Sequence, residues 1–223
     1  MNISALLEVE KGVTALIGGG GKTTLMYTLA EELRRRGTVL VTTSTHIQRP
    51  EQYPTLLTAD AAAVTAALAT HGVVCVAGET AEGKLCAPAL SFELLAALAD
   101  FVLVEADGSK RLPQKAHALH EPVIPPNARR TVYVVGADGF GHPIRQVCHR
   151  PERYAALCGA AEDDIVTPAL EAAVLHAEGY DTGWVYINKV ETPSDWANAE
   201  ALAALLPGKA VAGSLWERRY RIL

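Results

Sequence analysis

Between Val13 and Arg36 the chain passes from a short β-prone run (Val13–Ile17) through four successive glycines into Lys22-Thr23-Thr24 and an amphipathic stretch. No other segment restricts the fold as strongly. Leu25, Leu29 and Leu33 fall on one helical face, Glu31, Glu32, Arg34, Arg35 and Arg36 largely elsewhere, and Gly37 ends the pattern. The spacing therefore predicts a strand and a helix joined by a tight turn at Gly18, Gly19, Gly20 and Gly21. Glycines let successive N–H groups curl around phosphate oxygens in conformations that a β-carbon hinders. The helix N-terminus adds partial positive charge. In that setting Lys22 is expected to reach the β- and γ-phosphates, the Thr23 hydroxyl to ligate Mg²⁺, and Thr24 to complete the cradle. The ligand this chemistry suits is a nucleoside triphosphate, ATP or GTP, with Mg²⁺.

The pattern is the short form GxxGKTT. The longer GxxxxGK[ST] form requires glycine at position 16, which is Leu16, and loops beginning KGG require lysine at position 17, which is Ile17. The short form is similar to the loop of the Mur-type ATP-dependent ligases. A dinucleotide fingerprint fits worse: it requires glycine at Thr23, and no acidic residue ends the second strand.

Further apolar runs alternate with amphipathic stretches. Strands are expected at 38–42, 73–77, 101–105, 131–135, 185–187 and 210–212. Helices are expected after Asp60, after Ser91, at 151–158, at 168–177 and at 196–206. Strands alternating with helices imply an α/β fold, a mostly parallel sheet flanked by helices on both faces, read as a single domain over residues 1–223. Composition excludes other classes. With 223 residues, 49% hydrophobic and 20% charged, the chain is too apolar for intrinsic disorder, and a net charge of -5 argues against a duplex-DNA partner. No run approaches the roughly 20 apolar residues that cross a bilayer. The start MNISALLEVEKG lacks a signal-peptide pattern. Cys75, Cys86, Cys148 and Cys158 form no CxxC pair. These readings predict a cytoplasmic protein with reduced thiols and no membrane or nucleic-acid partner.

In open α/β sheets, ligands sit at the carboxyl ends of the strands. Thr42, Thr43, Ser44, Thr45 and His46 follow the second strand. FVLVE ends in Glu105, with Asp107 two residues on, an acidic strand end suited to hold Mg²⁺ or to position a nucleophile. Gly108 permits a tight turn that brings Ser109, Lys110 and Arg111 to the same mouth. The proline-rich stretch to Asn127 carries Lys115, His117, His120 and Glu121, where the histidines read better as ordinary loop residues than as metal ligands. Asp138 and His149-Arg150-Pro151-Glu152 lie at further turns. Asn188-Lys189-Val190-Glu191 is close to NKxD, with glutamate in place of the base-reading aspartate, so Asn188 and Lys189 are candidates to contact a base and a structural role for Asn188 is equally open.

Taken together, GGGGKTT, VTTSTHI, VEADGSKRLPQKAHALHEPVIP, VVGADGFG, HRPE and INKVE resemble the YqeC family over nearly the whole chain, in the same order. The resemblance implies a P-loop NTPase fold and an accessory role for selenium-dependent molybdenum hydroxylases, with the hydroxylase or its selenium–molybdenum cofactor as partner. Onto matching positions it implies phosphate contacts at Lys22 and Thr23 and an acidic turn at Glu105 and Asp107. The sequence departs from the family pattern at Gln114, His117 and Glu191. Two other readings compete: a small-molecule kinase or Mur-like ligase, and a nucleotide-gated scaffold or chaperone that does not hydrolyse.

Overall fold

The computed structural model describes residues 2–223. Its main sheet contains β1 (Gly12–Gly18), β2 (Val39–Thr43), β3 (Thr55–Leu56), β4 (Val73–Val76), β5 (Phe101–Glu105), β6 (Ala128–Gly136), β7 (Trp184–Asn188), β8 (Lys209–Ser214) and β9 (Arg219–Ile222). Their spatial order is β9-β8-β7-β6-β1-β5-β2-β4-β3. Every pairing is parallel except β8 with β9, a hairpin that closes one edge. The helices are α1 (Ile3–Leu6), α2 (Lys22–Leu33), α3 (Ala61–His71), α4 (Phe92–Leu98), α5 (Ile144–Val147), α6 (Pro151–Cys158), α7 (Pro168–Ala177) and α8 (Pro193–Ala203).

The central strands are apolar on both faces because both faces are covered. On one side Leu16, Val41, Leu103, Val132 and Val134 pack against Leu25, Met26, Leu29 and Leu33 of α2 and against Ile3 and Leu6 of α1. On the other side, Ala15, Ile17, Tyr133 and Ile187 meet residues of α6, α7 and α8. Farther along that same face, Val102, Val104, Leu40 and Val74 meet Val64, Leu68 and Leu95 of α3 and α4. The α/β arrangement read from the sequence holds. Most bounds shift by a residue or two, and the larger differences include α8, β6 and the chain's last strand. Helix α8 begins at Pro193, not Trp196, because Thr192 and Asp195 form a capping box with Pro193 in the first turn. Strand β6 begins at Ala128, and the edge strand β9 follows the last strand expected.

One topological feature places the site. The chain leaving β1 passes over β5 to form β2, and the chain leaving β5 returns to the other side of β1 as β6. The connections therefore diverge at β1 and open a crevice at the carboxyl ends of the strands, where ligands of such sheets bind. The register brings the relevant residues level: Leu16 is opposite Glu105, Gly18 opposite Val134, and Gly136 opposite Asn188.

Candidate functional site

The four glycines sit where the backbone is most crowded. A β-carbon on Gly19 would lie 2.6 Å from the Pro113 carbonyl oxygen and 2.7 Å from that of Leu112. One on Gly20, whose φ is +71°, would lie 2.2 Å from the Gly136 nitrogen. The glycine requirement anticipated from phosphate binding therefore has a second origin in the close approach of two other chain segments. Those segments also take the first three amides: Gly18 N–H donates to Asp107 Oδ2 at 2.8 Å, Gly19 N–H to the Val134 carbonyl at 2.9 Å, and Gly20 N–H to the Leu112 carbonyl at 3.0 Å. The amides of Gly21, Lys22, Thr23 and Thr24, at the start of α2, meet no acceptor among the described residues. They are the unsatisfied donors that every helix N-terminus presents. The part of the loop able to receive an anion is thus narrower than the sequence suggests and lies at its helical end.

Lys22 points back across the turn. Its ammonium donates to the Gly18 carbonyl (2.7 Å) and to Ser109 Oγ (3.3 Å), lies 3.0 Å from Asp107 Oδ1 and 3.9 Å from Glu105 Oε1, and is 3% exposed. The Thr23 hydroxyl donates to Glu105 Oε2 at 2.6 Å. Glu105 and Asp107 are both buried, yet their carboxyls move in opposite directions. Burial raises Glu105, with Lys22 and Thr23 offsetting only part of it. Burial acts on Asp107 in the same sense, but Lys22, the His117 hydrogen bond and Lys115 together hold its carboxyl far below the usual range. Asp107 is consequently a fixed anion that anchors the loop, and Glu105 is the carboxylate left beside a hydroxyl.

Behind Asp107 stands a second layer whose assembly the sequence did not reveal. Lys115 is fully buried; its ammonium lies 3.0 Å from Asp107 Oδ2 and 2.8 Å from Glu121 Oε2 and donates to the Gly108 carbonyl. His117 bridges two carboxylates, with Nε2 2.7 Å from Asp107 Oδ2 and Nδ1 2.6 Å from Glu178 Oε2. Arg150 Nη1 reaches Glu121 Oε2 at 2.7 Å and the Ala116 carbonyl. Burial pulls the His117 pKa down, but the hydrogen bonds and charges of the two carboxylates raise it overall. Each of the four carboxylates Glu105, Asp107, Glu121 and Glu178 thus faces at least one basic side chain among Lys22, Lys115, His117 and Arg150, as buried ionisable groups require. Prolines and unpatterned polar residues between 108 and 127 were the visible signal for this layer. Glu178, at the end of α7, carried none.

The third element, after β7, is bound to the loop. Asn188 Nδ2 donates to the Gly20 carbonyl at 2.7 Å, while its Oδ1 accepts from Tyr186 OH and Leu215 N–H. Glu191 Oε1 accepts from Ser214 Oγ at 2.7 Å. Lys189 pairs with Asp138 at 2.6 Å on the surface. Asn188 thus straps β7 and the turn after β8 to the glycine loop. Of the remaining candidates, Thr43 donates to the Glu105 carbonyl, whereas His46 and His120 are exposed.

Carboxylates and a hydroxyl are a donor set for a hard cation, and Mg²⁺ typically takes one or two carboxylates and fills its shell with phosphate oxygens and water. Thr23 and Glu105, side by side next to the open amides, fit that description. Asp107 fits less well, since its oxygens already face Lys22, Lys115, His117 and the Gly18 amide. No group of three or more His, Cys, Asp or Glu side chains is arranged to enclose a metal among the described residues. Nor is any helix among them long and apolar enough to cross a membrane.

A mostly parallel sheet with its glycine loop and lysine at the switch point, and an acidic strand end beside it, is the α/β architecture of a P-loop NTPase-like fold. The chain belongs to the YqeC family: residues 14–152 match the family described as "YqeC protein". It is 33% identical over 178 residues to YqeC of Escherichia coli (strain K12), an alignment spanning 75% of this chain and 69% of the relative. Among solved structures it is similar to the signal recognition particle 54 kDa protein from Aeropyrum pernix K1 in complex with GDP, with 14% identity and a TM-score of 0.45. That match covers 96% of this chain and 44% of the other, so the chain spans less than half its length.

Proposed function

We propose that the protein binds a nucleoside triphosphate with Mg²⁺ at the helical end of the glycine loop and hydrolyses it or transfers its terminal phosphoryl group. The observation that carries this reading is the run of open amides from Gly21 to Thr24 beside the Lys22 ammonium and the Thr23–Glu105 pair. In this reading the amides take the phosphate oxygens and Lys22 shifts part of its charge from Asp107 to the phosphates. Thr23 and Glu105 hold Mg²⁺, which when bound offsets phosphate charge. Asp107 keeps the loop in shape. Asn188 serves by fixing the Gly20 carbonyl, and Lys189 stands at the rim where a base would lie.

At the level of the cell, the role we propose is the one the sequence resemblance implies, an accessory function in maturing selenium-dependent molybdenum hydroxylases or handling their cofactor. Nucleotide turnover would drive or gate that step within one domain. The test is Lys22→Ala, followed by calorimetric titration with Mg²⁺–ATP and Mg²⁺–GTP. The variant should still unfold cooperatively, because Asp107 retains Lys115, His117 and the Gly18 amide. It should lose nucleotide affinity by at least about tenfold, the value of one charge-assisted contact. Wild-type affinity in the variant would overturn the assignment.

A further inference from the structure

The cations around the mouth are nearly all spent on protein carboxylates. Lys22 faces Asp107 and Glu105, Lys115 faces Asp107 and Glu121, Arg150 faces Glu121, and Lys189 faces Asp138. A triphosphate entering this crevice would bring several negative charges to cations that already face carboxylates. Two cations there form no ion pair among the described residues: Lys110 and Arg111, both exposed.

Their backbone is unusual. Leu112 N–H donates to the Ser109 carbonyl at 2.9 Å, closing a four-residue turn whose central residues have φ of +50° and +65°. Two consecutive left-handed residues make the type I′ geometry, which strongly favours Asn and Gly. A Lys-Arg pair in those positions is sterically disfavoured, and such conformations persist where surrounding contacts over-determine them. The contacts are present, and both ends of the turn are fastened to the glycine loop. Ser109 Oγ accepts from Lys22 Nζ (3.3 Å) and the Leu112 carbonyl from Gly20 N–H (3.0 Å), while Pro113, just beyond the turn, is held by Gly136 N–H at the end of β6 (3.0 Å). Lys110 and Arg111 therefore span the gap between the loop lysine and a loop amide, at the end where the amides of Gly21 to Thr24 are open.

We infer that the Ser109–Leu112 turn is a cationic clamp for the terminal phosphate, with Lys110 and Arg111 supplying the positive charge that the buried network withholds. The inference rests on the nucleotide reading above and adds a specificity: the clamp distinguishes a triphosphate from a diphosphate. The double variant Lys110→Asn/Arg111→Gly tests it, because those residues favour the turn and should leave the thermal midpoint unchanged or higher. Calorimetry would compare Mg²⁺–ATP and Mg²⁺–GTP with Mg²⁺–ADP and Mg²⁺–GDP. Triphosphate affinity should fall at least about tenfold in the variant, with diphosphate affinity held within about twofold. Arg111→Lys, keeping the charge, should recover part of the loss. Equal loss for triphosphate and diphosphate, or no loss for either, would overturn the clamp while leaving the nucleotide reading standing. Wild-type protein that binds none of the four would overturn both.

Discussion

Glu171 shows how far a single side chain can depart from what its letter suggests. It lies in α7, fully buried, with its Oε2 accepting from Tyr154 OH at 2.7 Å and its Oε1 lacking any partner. Burial, opposed only in part by the Tyr154 hydrogen bond, pushes its carboxyl from 4.5 up to about 8. A folded pKa above the unfolded one means stability that is complete below pH 4.5 and is lost as pH rises toward 8, because the unfolded chain ionises first. Glu171→Gln mimics the protonated side chain and has no such dependence. Urea unfolding at pH 5 and pH 8 should show the variant gaining on the wild type by a few kcal/mol across that interval. An unchanged difference between the two proteins at the two pH values would refute the assignment. Lys115 and His117 make the same point nearer the site. As letters they were a lysine and a histidine in a proline-rich stretch. Buried against Asp107, Glu121 and Glu178, they stabilise the anion that shapes the glycine loop.

The elements were largely legible, because each rests on local patterns. Asp60 and Ser91 cap α3 and α4 through their own side chains, as their positions suggested. FVLVE forms a strand buried throughout. The glycine turn was recognised from its neighbours in the chain, but which glycine is indispensable depends on what approaches it from elsewhere. Gly20→Ala would drive a β-carbon into the Gly136 backbone at 2.2 Å, so it should cost several kcal/mol or prevent folding. Gly141 also has a positive φ, +82°, but nothing lies within 4 Å of its absent β-carbon. Gly141→Ala should therefore cost only about 1–2 kcal/mol, the left-handed penalty itself. Chemical denaturation of the two variants measures the contrast, and comparable losses would show that crowding is not what requires Gly20.

Across the molecule, binding and stability are coupled. The glycine loop is held by segments from β5, β6 and β7 through Asp107, Leu112, Val134 and Asn188, so a ligand that engages it should stabilise the fold as a whole. At a ligand concentration of about 100 times Kd, the gain is about 2.7 kcal/mol. For a chain of this size that corresponds to a rise in Tm of roughly 5–10 °C with Mg²⁺–nucleotide over Mg²⁺ alone. Thermal unfolding with and without nucleotide checks it, and a flat Tm at saturating ligand would argue against a site at this loop. Residues 13–36 and the alternation of strands and helices determined the architecture by themselves, since propensity, periodicity and turn chemistry act between near neighbours in the chain. The partners of the buried charged and polar side chains were decided only by the tertiary structure. Lys22 meets Asp107, His117 meets Glu178, and Asn188 meets Gly20 across separations of 85, 61 and 168 positions. Electrostatic pairing in a buried crevice depends on distance in space, and only the packed sheet brings those groups within reach.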